Sequence, residues 1–222
     1  MSGAVSSGFF GKVPARGDFL SRRVPSALAP AWEAWLQELT VSVRESGERG
    51  WQDAWLTAPL WHFALGRTVA APLGAAGVLI ASADRVGRLF PFTLIGAASA
   101  DAPVDASTWA QAAEGLAMSA LADDFDPAAF DTALTDLGPP PPPRGPNRTT
   151  GAFALALDGD WPAAGDPLAD DAQAQGGAGP DQSEWWTRGS DRLAPTRLRC
   201  AGLPTPSLAR AMILGGLAER HD

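Results

Sequence analysis

Trp32, Trp35, Leu36, Leu39 and Val43 fall three or four residues apart, the spacing of one face of a helix. That spacing predicts a helix over residues 27–46, stopped by Gly47 and Gly50, with two tryptophans turned inward. Before it, residues 8–13 read as a short strand ended by Pro14 and Gly17. After it come three strand-like runs, 60–65, 77–82 and 89–95, separated by turn residues as in an antiparallel meander. Alternation puts Trp61, Phe63 and Leu65 on one face of the first run and His62 and Ala64 on the other.

Two further helices come next. Trp109, Ala112, Ala113, Leu116, Ala120 and Leu121 form one apolar stripe. The second helix is punctuated at both ends, by Asp126 as N-cap with Pro127 in the first turn, and by Gly138 at the close. Residues 150–157, 184–187 and 196–201 read as strands, and a last helix begins after Thr205-Pro206 and runs through Leu208, Met212, Ile213 and Leu217. Hairpin-linked strands interleaved with helices predict a single α+β domain spanning residues 1–222, a largely antiparallel sheet covered by helices. Two low-complexity stretches, at about 138–148 and 159–182, read as insertions: the first is Pro-rich and extended, the second too poor in apolar residues to order itself.

Composition narrows the function classes. The chain has 222 residues with a net charge of −8. Residues 1–100 carry 9 basic and 7 acidic side chains, and residues 101–222 carry 8 and 18. An acidic chain without a basic stripe is a poor partner for nucleic acid or an anionic membrane surface. Its acidic second half suits a basic partner surface. Cys200 is the single cysteine, so neither an intrachain disulfide nor a Cys-rich metal site is available. The first eight residues lack the basic start and apolar stretch of a signal peptide, and no run reaches the ~20 residues of a membrane span. A cytoplasmic protein without membrane insertion is expected.

Two short blocks concentrate charge, glycine and proline between apolar residues: Gly11-Lys12-Val13-Pro14-Ala15-Arg16-Gly17-Asp18-Phe19 and Asp84-Arg85-Val86-Gly87-Arg88-Leu89-Phe90-Pro91. Gly11-Lys12 is not a phosphate loop, since Ser6 and Val13 stand where that loop needs a glycine and a hydroxyl residue. Arg16-Gly17-Asp18 matches a cell-adhesion tripeptide, read as coincidence in a cytoplasmic chain. Asp18 is expected to pair with Arg88 or Arg22 and fix its loop, or to take part in partner recognition. Asp84 and Gly87 suit a turn, which leaves Arg85 and Arg88 as candidate interface anchors.

His62 and His221 have no second histidine or cysteine at ligand spacing, and no serine elbow is present, so His62 reads as an ordinary strand residue. Asp123-Asp124-Phe125-Asp126 lacks the glycine and distal glutamate of a calcium loop. Trp185 and Trp186 face opposite ways on a strand, so one is expected in the core and the other exposed as an anchor. No cofactor and no catalytic residue are expected.

Several motifs recur together in one family. Gly8-x-x-Gly11-Lys12-x-Pro14-x-x-Gly17-Asp18-Phe19, Trp32-x-x-Trp35-Leu36, Ala58-Pro59-x-Trp61-x-Phe63, Gly77-Val78-Leu79, Asp84-Arg85-Val86-Gly87-Arg88-x-Phe90-Pro91, Ser183-x-Trp185-Trp186 and Gly202-Leu203-Pro204 resemble, in this order, the TagF (ImpM) family of type VI secretion accessory proteins. His62 and Ala81 depart from the family pattern, which commonly has arginine and proline there. The resemblance implies a non-enzymatic, post-translational repressor of secretion that binds a forkhead-associated scaffold protein. Lys12, Arg16, Asp18, Asp84, Arg85, Arg88, Trp185 and Trp186 are then the candidate contact or structural residues. The alternative is a small-ligand or nucleotide sensor of the same system, in which the charged blocks converge on a pocket.

Overall fold

The computed structural model describes residues 7–70, 74–102, 106–142, 153–156 and 179–217. Eight strands among them form one sheet: β1 (Ser7–Gly11), β2 (Leu20–Arg22), β3 (Trp61–Leu65), β4 (Ala75–Ile80), β5 (Phe92–Ala97), β6 (Phe153–Ala156), β7 (Gln182–Thr187) and β8 (Thr196–Ala201). They lie in the order β2-β1-β5-β4-β3-β7-β8-β6, and each neighbouring pair is antiparallel. Five helices cover it: α1 (Ala29–Arg44), α2 (Trp51–Leu56), α3 (Ala106–Ser119), α4 (Pro127–Leu137) and α5 (Pro206–Leu214). The fold is α+β, as expected.

The sheet has a core on each face. On one, α1, α2 and α5 bury Trp32, Trp35, Leu36, Leu39, Val43, Trp55, Met212 and Ile213 against Trp61, Phe63, Leu79, Ile95 and Trp185. On the other, α3 and α4 set Trp109, Ala113, Phe130 and Leu134 against Phe9, Val78, Phe92 and Leu94. Alternation along each strand produces this division: Phe63 and Val78 face opposite cores from adjacent strands. Burying an indole leaves its N–H in need of an acceptor. Trp35 donates to the Pro204 carbonyl at 2.8 Å, Trp55 to that of Ser82 at 2.9 Å, and Trp61 to that of Met212 at 3.0 Å.

Local signals set the helix starts. Asp126 accepts from the Ala128 amide at 2.9 Å, with Pro127 in the first turn of α4. Thr205 caps α5 ahead of Pro206. β2 and α2 go beyond the sequence expectation. A three-residue strand and a six-residue helix are too short to show a period.

The Pro-rich stretch is described as far as Pro142, and that part is docked rather than a free linker. Ser7 Oγ and Trp109 Nε1 donate to the Gly138 carbonyl at 2.7 and 3.2 Å, and the Ser99 amide donates to the Pro140 carbonyl at 2.9 Å. Most of the loop expected at 159–182 lies outside the described residues. Its final residues are tied to the turn after β3, where the Gly66 amide donates to Gln182 at 2.8 Å and the Thr68 amide to Pro180 at 2.7 Å.

Candidate functional site

β1 and β5 are paired neighbours, so the loop leaving β1 and the loop entering β5 emerge side by side at one end of the sheet. These loops are the two charged blocks. Gly11 makes the approach possible. Its φ is +138°, and a Cβ there would stand 2.1 Å from the Pro91 carbonyl oxygen. The Lys12 amide donates to Pro91 at 3.3 Å, and the Arg85 amide to Arg16 at 2.9 Å. Residues 16 and 85 are thereby coupled backbone to backbone.

Asp84 organises the join. Its side chain is fully buried, and both oxygens accept hydrogen bonds. Oδ1 accepts from the amides of Val86 (3.1 Å) and Arg88 (2.9 Å), closing a turn that Gly87 completes with a φ of +83°. Oδ2 accepts from Lys12 Nζ at 2.9 Å and Arg88 Nε at 2.6 Å. Arg88 then reaches across to donate to the Gly17 carbonyl at 2.5 Å. Lys12 Nζ also sits 4.9 Å from the centre of the Phe19 ring. Phe19 packs edge-on against Phe90 at 4.8 Å and stacks on Phe10 at 5.8 Å.

This corrects one expectation. The carboxylate that fixes the loop is Asp84, not Asp18. Asp18 is exposed, Arg88 is taken by Asp84, and Arg22 pairs instead with Asp131 of α4 at 3.5 Å. Asp18 follows Gly17 on the outer side of the loop, where water solvates it without a burial cost.

Burial alone would raise the Asp84 pKa. The hydrogen bonds from Lys12, the Arg88 amide, the Arg88 guanidinium and the Val86 amide outweigh it and hold the carboxyl well below its ordinary range. A folded pKa below the unfolded one stabilises the fold at neutral pH. That contribution fades as pH drops through the unfolded value of about 4 toward the folded one. Urea unfolding should therefore show the stability gap between wild type and Asp84→Asn narrowing from about pH 5 to pH 3. A gap independent of pH would rule out the carboxylate as the source.

Above this buried base the side chains reach solvent. Arg16, Asp18 and Arg85 are exposed and make no ion pair among the described residues. Phe19 is 50% exposed, Val86 69%, and the Arg88 side chain 61%.

The tryptophan pair is placed differently from the expectation. Both residues are buried. Trp185 lies among Trp35, Phe63 and Trp32, with ring centres at 5.1, 5.0 and 6.1 Å. Trp186, on the opposite sheet face, stacks on His62 at 5.4 Å and 8°. Opposite faces do not mean one wet face when a sheet is covered on both sides.

His62 is held by more than the strand. Its Nε2 lies 3.0 Å from Glu114 Oε2 of α3, and Arg188 approaches the other oxygen at 3.3 Å. The hydrogen bond from His62, opposed by partial burial and aided by the His62 and Arg188 charges, lowers the Glu114 pKa. Beside it, buried Glu184 accepts from Arg197 Nε at 2.6 Å and Arg199 Nη2 at 3.2 Å. Sequence reading misses this polar patch. Its signal is the alternation of Arg197 and Arg199, which the β7–β8 register sets across from Trp186 and Glu184. Asp126, from the acidic run, is engaged as a helix cap, and no group of three His, Cys, Asp or Glu that could hold a metal ion occurs among the described residues.

Fold and site together define an α+β domain whose charged motifs lock two adjacent loops and present arginine and apolar side chains outward. A family model described as the TagF N-terminal domain, type VI secretion system-associated, matches residues 8–137. The chain belongs to the TagF family, and is thus a type VI secretion-associated protein. The solved structure of PA0076 from Pseudomonas aeruginosa PAO1 is similar, at 32% identity over 95% of each chain with a TM-score of 0.71. No curated protein matches the chain. No helix among the described residues is long and apolar enough to cross a membrane.

Proposed function

We propose that this protein is a non-enzymatic, cytoplasmic repressor of type VI secretion that acts after translation by binding a forkhead-associated scaffold protein. One observation carries the reading. Asp84 fixes both loops from beneath, so that Arg16, Phe19, Arg85, Val86 and Arg88 stand exposed on a preorganised base. Preorganised arginine and aromatic side chains lose little entropy on association and are frequent interface anchors. A pocket sensor would instead need these groups to converge inward, whereas all three arginines are exposed.

Calorimetric titration with the cognate scaffold should give micromolar or tighter affinity. Arg85→Glu should weaken it about tenfold with the fold intact, because the Arg85 guanidinium has no ion-pair partner to lose among the described residues. Absence of binding between two folded proteins would refute the reading.

A further inference from the structure

We infer that the exposed face of the double loop takes an acidic segment of its partner, one that also carries an aromatic or aliphatic side chain. The inference rests on the proposal that this face is the partner surface, and it adds the chemistry of what docks there.

The charges argue for it first. The two loops carry four cations, Lys12, Arg16, Arg85 and Arg88, and two carboxylates, Asp18 and Asp84. Asp84 is buried and committed to Lys12 and Arg88. What remains outward is Arg16 and Arg85, neither in an ion pair among the described residues, and Arg88, still more than half exposed, against the exposed carboxylate of Asp18. This is a local positive excess on a chain of net charge −8. A guanidinium group donates two parallel hydrogen bonds to a carboxylate. The net charge of −8 over the whole chain disfavours non-specific attachment of the same segment.

The apolar requirement comes from Phe19 and Val86. Both stay substantially exposed, whereas Val13 and Phe90 of the same loops are buried. Phe19 is not a loose side chain, since Phe10, Phe90 and Lys12 hold its ring in place. A fixed aromatic surface beside guanidinium groups offers an apolar seat flanked by carboxylate receptors. The link from the Arg85 amide to Arg16, and from Arg88 to Gly17, keeps seat and receptors in one geometry.

The test uses the full chain and a fluorescein-labelled, glutamate-rich peptide bearing one phenylalanine, followed by fluorescence anisotropy at low salt. Saturable binding is expected, weakened about tenfold by Arg16→Glu or Arg85→Glu, and tightened by Asp18→Lys. Replacing the peptide's phenylalanine with serine should weaken binding, and a lysine-rich counterpart should not bind. Circular dichroism checks each variant, and Arg85→Gln substitutes if a charge reversal unfolds. Failure of the peptide to bind, indifference to both arginine reversals, or weakening by Asp18→Lys would overturn the inference. Scaffold titration separates the two ideas. Scaffold binding without peptide binding refutes the acidic-segment chemistry alone, whereas peptide binding without scaffold binding refutes the repressor reading and leaves this one standing.

Discussion

Lys12→Met should lower the unfolding free energy by about 3 kcal/mol in urea denaturation, the low end of the cost of removing one partner from a buried ion pair, because Arg88 and two amides still hold Asp84. Lys12 and Asp84 are both buried, and water cannot replace the ammonium group beneath the Phe19 ring. Arg88→Ala should cost far less, about 1 kcal/mol, because its side chain is mostly exposed and solvent can follow it in. The two cations share one oxygen of Asp84 and are still not equivalent: burial decides between them. Adding Asp84→Asn to Lys12→Met should cost less than the two single losses combined, since both remove the same interaction. If Lys12→Met cost no more than Arg88→Ala, the buried pair would not be what fixes the loops.

Trp185→Ala is expected to cost a similar amount, about 3–5 kcal/mol, for a different reason: it opens a cavity between α1 and the sheet. The rings of Phe63, Trp35 and Trp32 would all lose a packing partner there. The Trp185 indole N–H donates to Ser183 Oγ at 2.9 Å, and that hydroxyl would lose a donor. Thermal unfolding of this variant beside Arg85→Glu makes the contrast: Trp185→Ala should drop the midpoint, and Arg85→Glu should leave it nearly unchanged. A Trp185→Ala protein that kept its stability and lost only scaffold binding would restore the interface role that the sequence suggests for the pair.

Sequence reading succeeds here wherever a local period or cap decides. The five apolar positions of α1 are all buried, α4 starts after Asp126, and His62 faces away from the core that holds Trp61 and Phe63. It fails where faces or partners must be chosen. Asp18 and Asp84 are equally acidic on paper, and only the side-by-side emergence of the loops beside β1 and β5 buries one and leaves the other in water. One tryptophan of the 185–186 pair reads as exposed because nothing nearby in the chain announces His62 against the Trp186 ring.

Most of the elements, the inward stripe of α1, the two charged blocks and the family are legible in residue order alone. β2 and α2 are not, and the stripe read for α3 is only partly right: Ala112 is exposed, and Ala110 and Ala117 are buried in its place. The legible features depend on side chains that are near one another along the chain. Residue order does not show that the blocks form one site, that Asp84 is its anchor, or that Glu184, Arg197 and Arg199 meet across strands. Those facts arise with the folded sheet, and the reason is physical. Burial and pairing energies depend on which distant residues exclude water from a charge, and strand order, not local spacing, selects those neighbours.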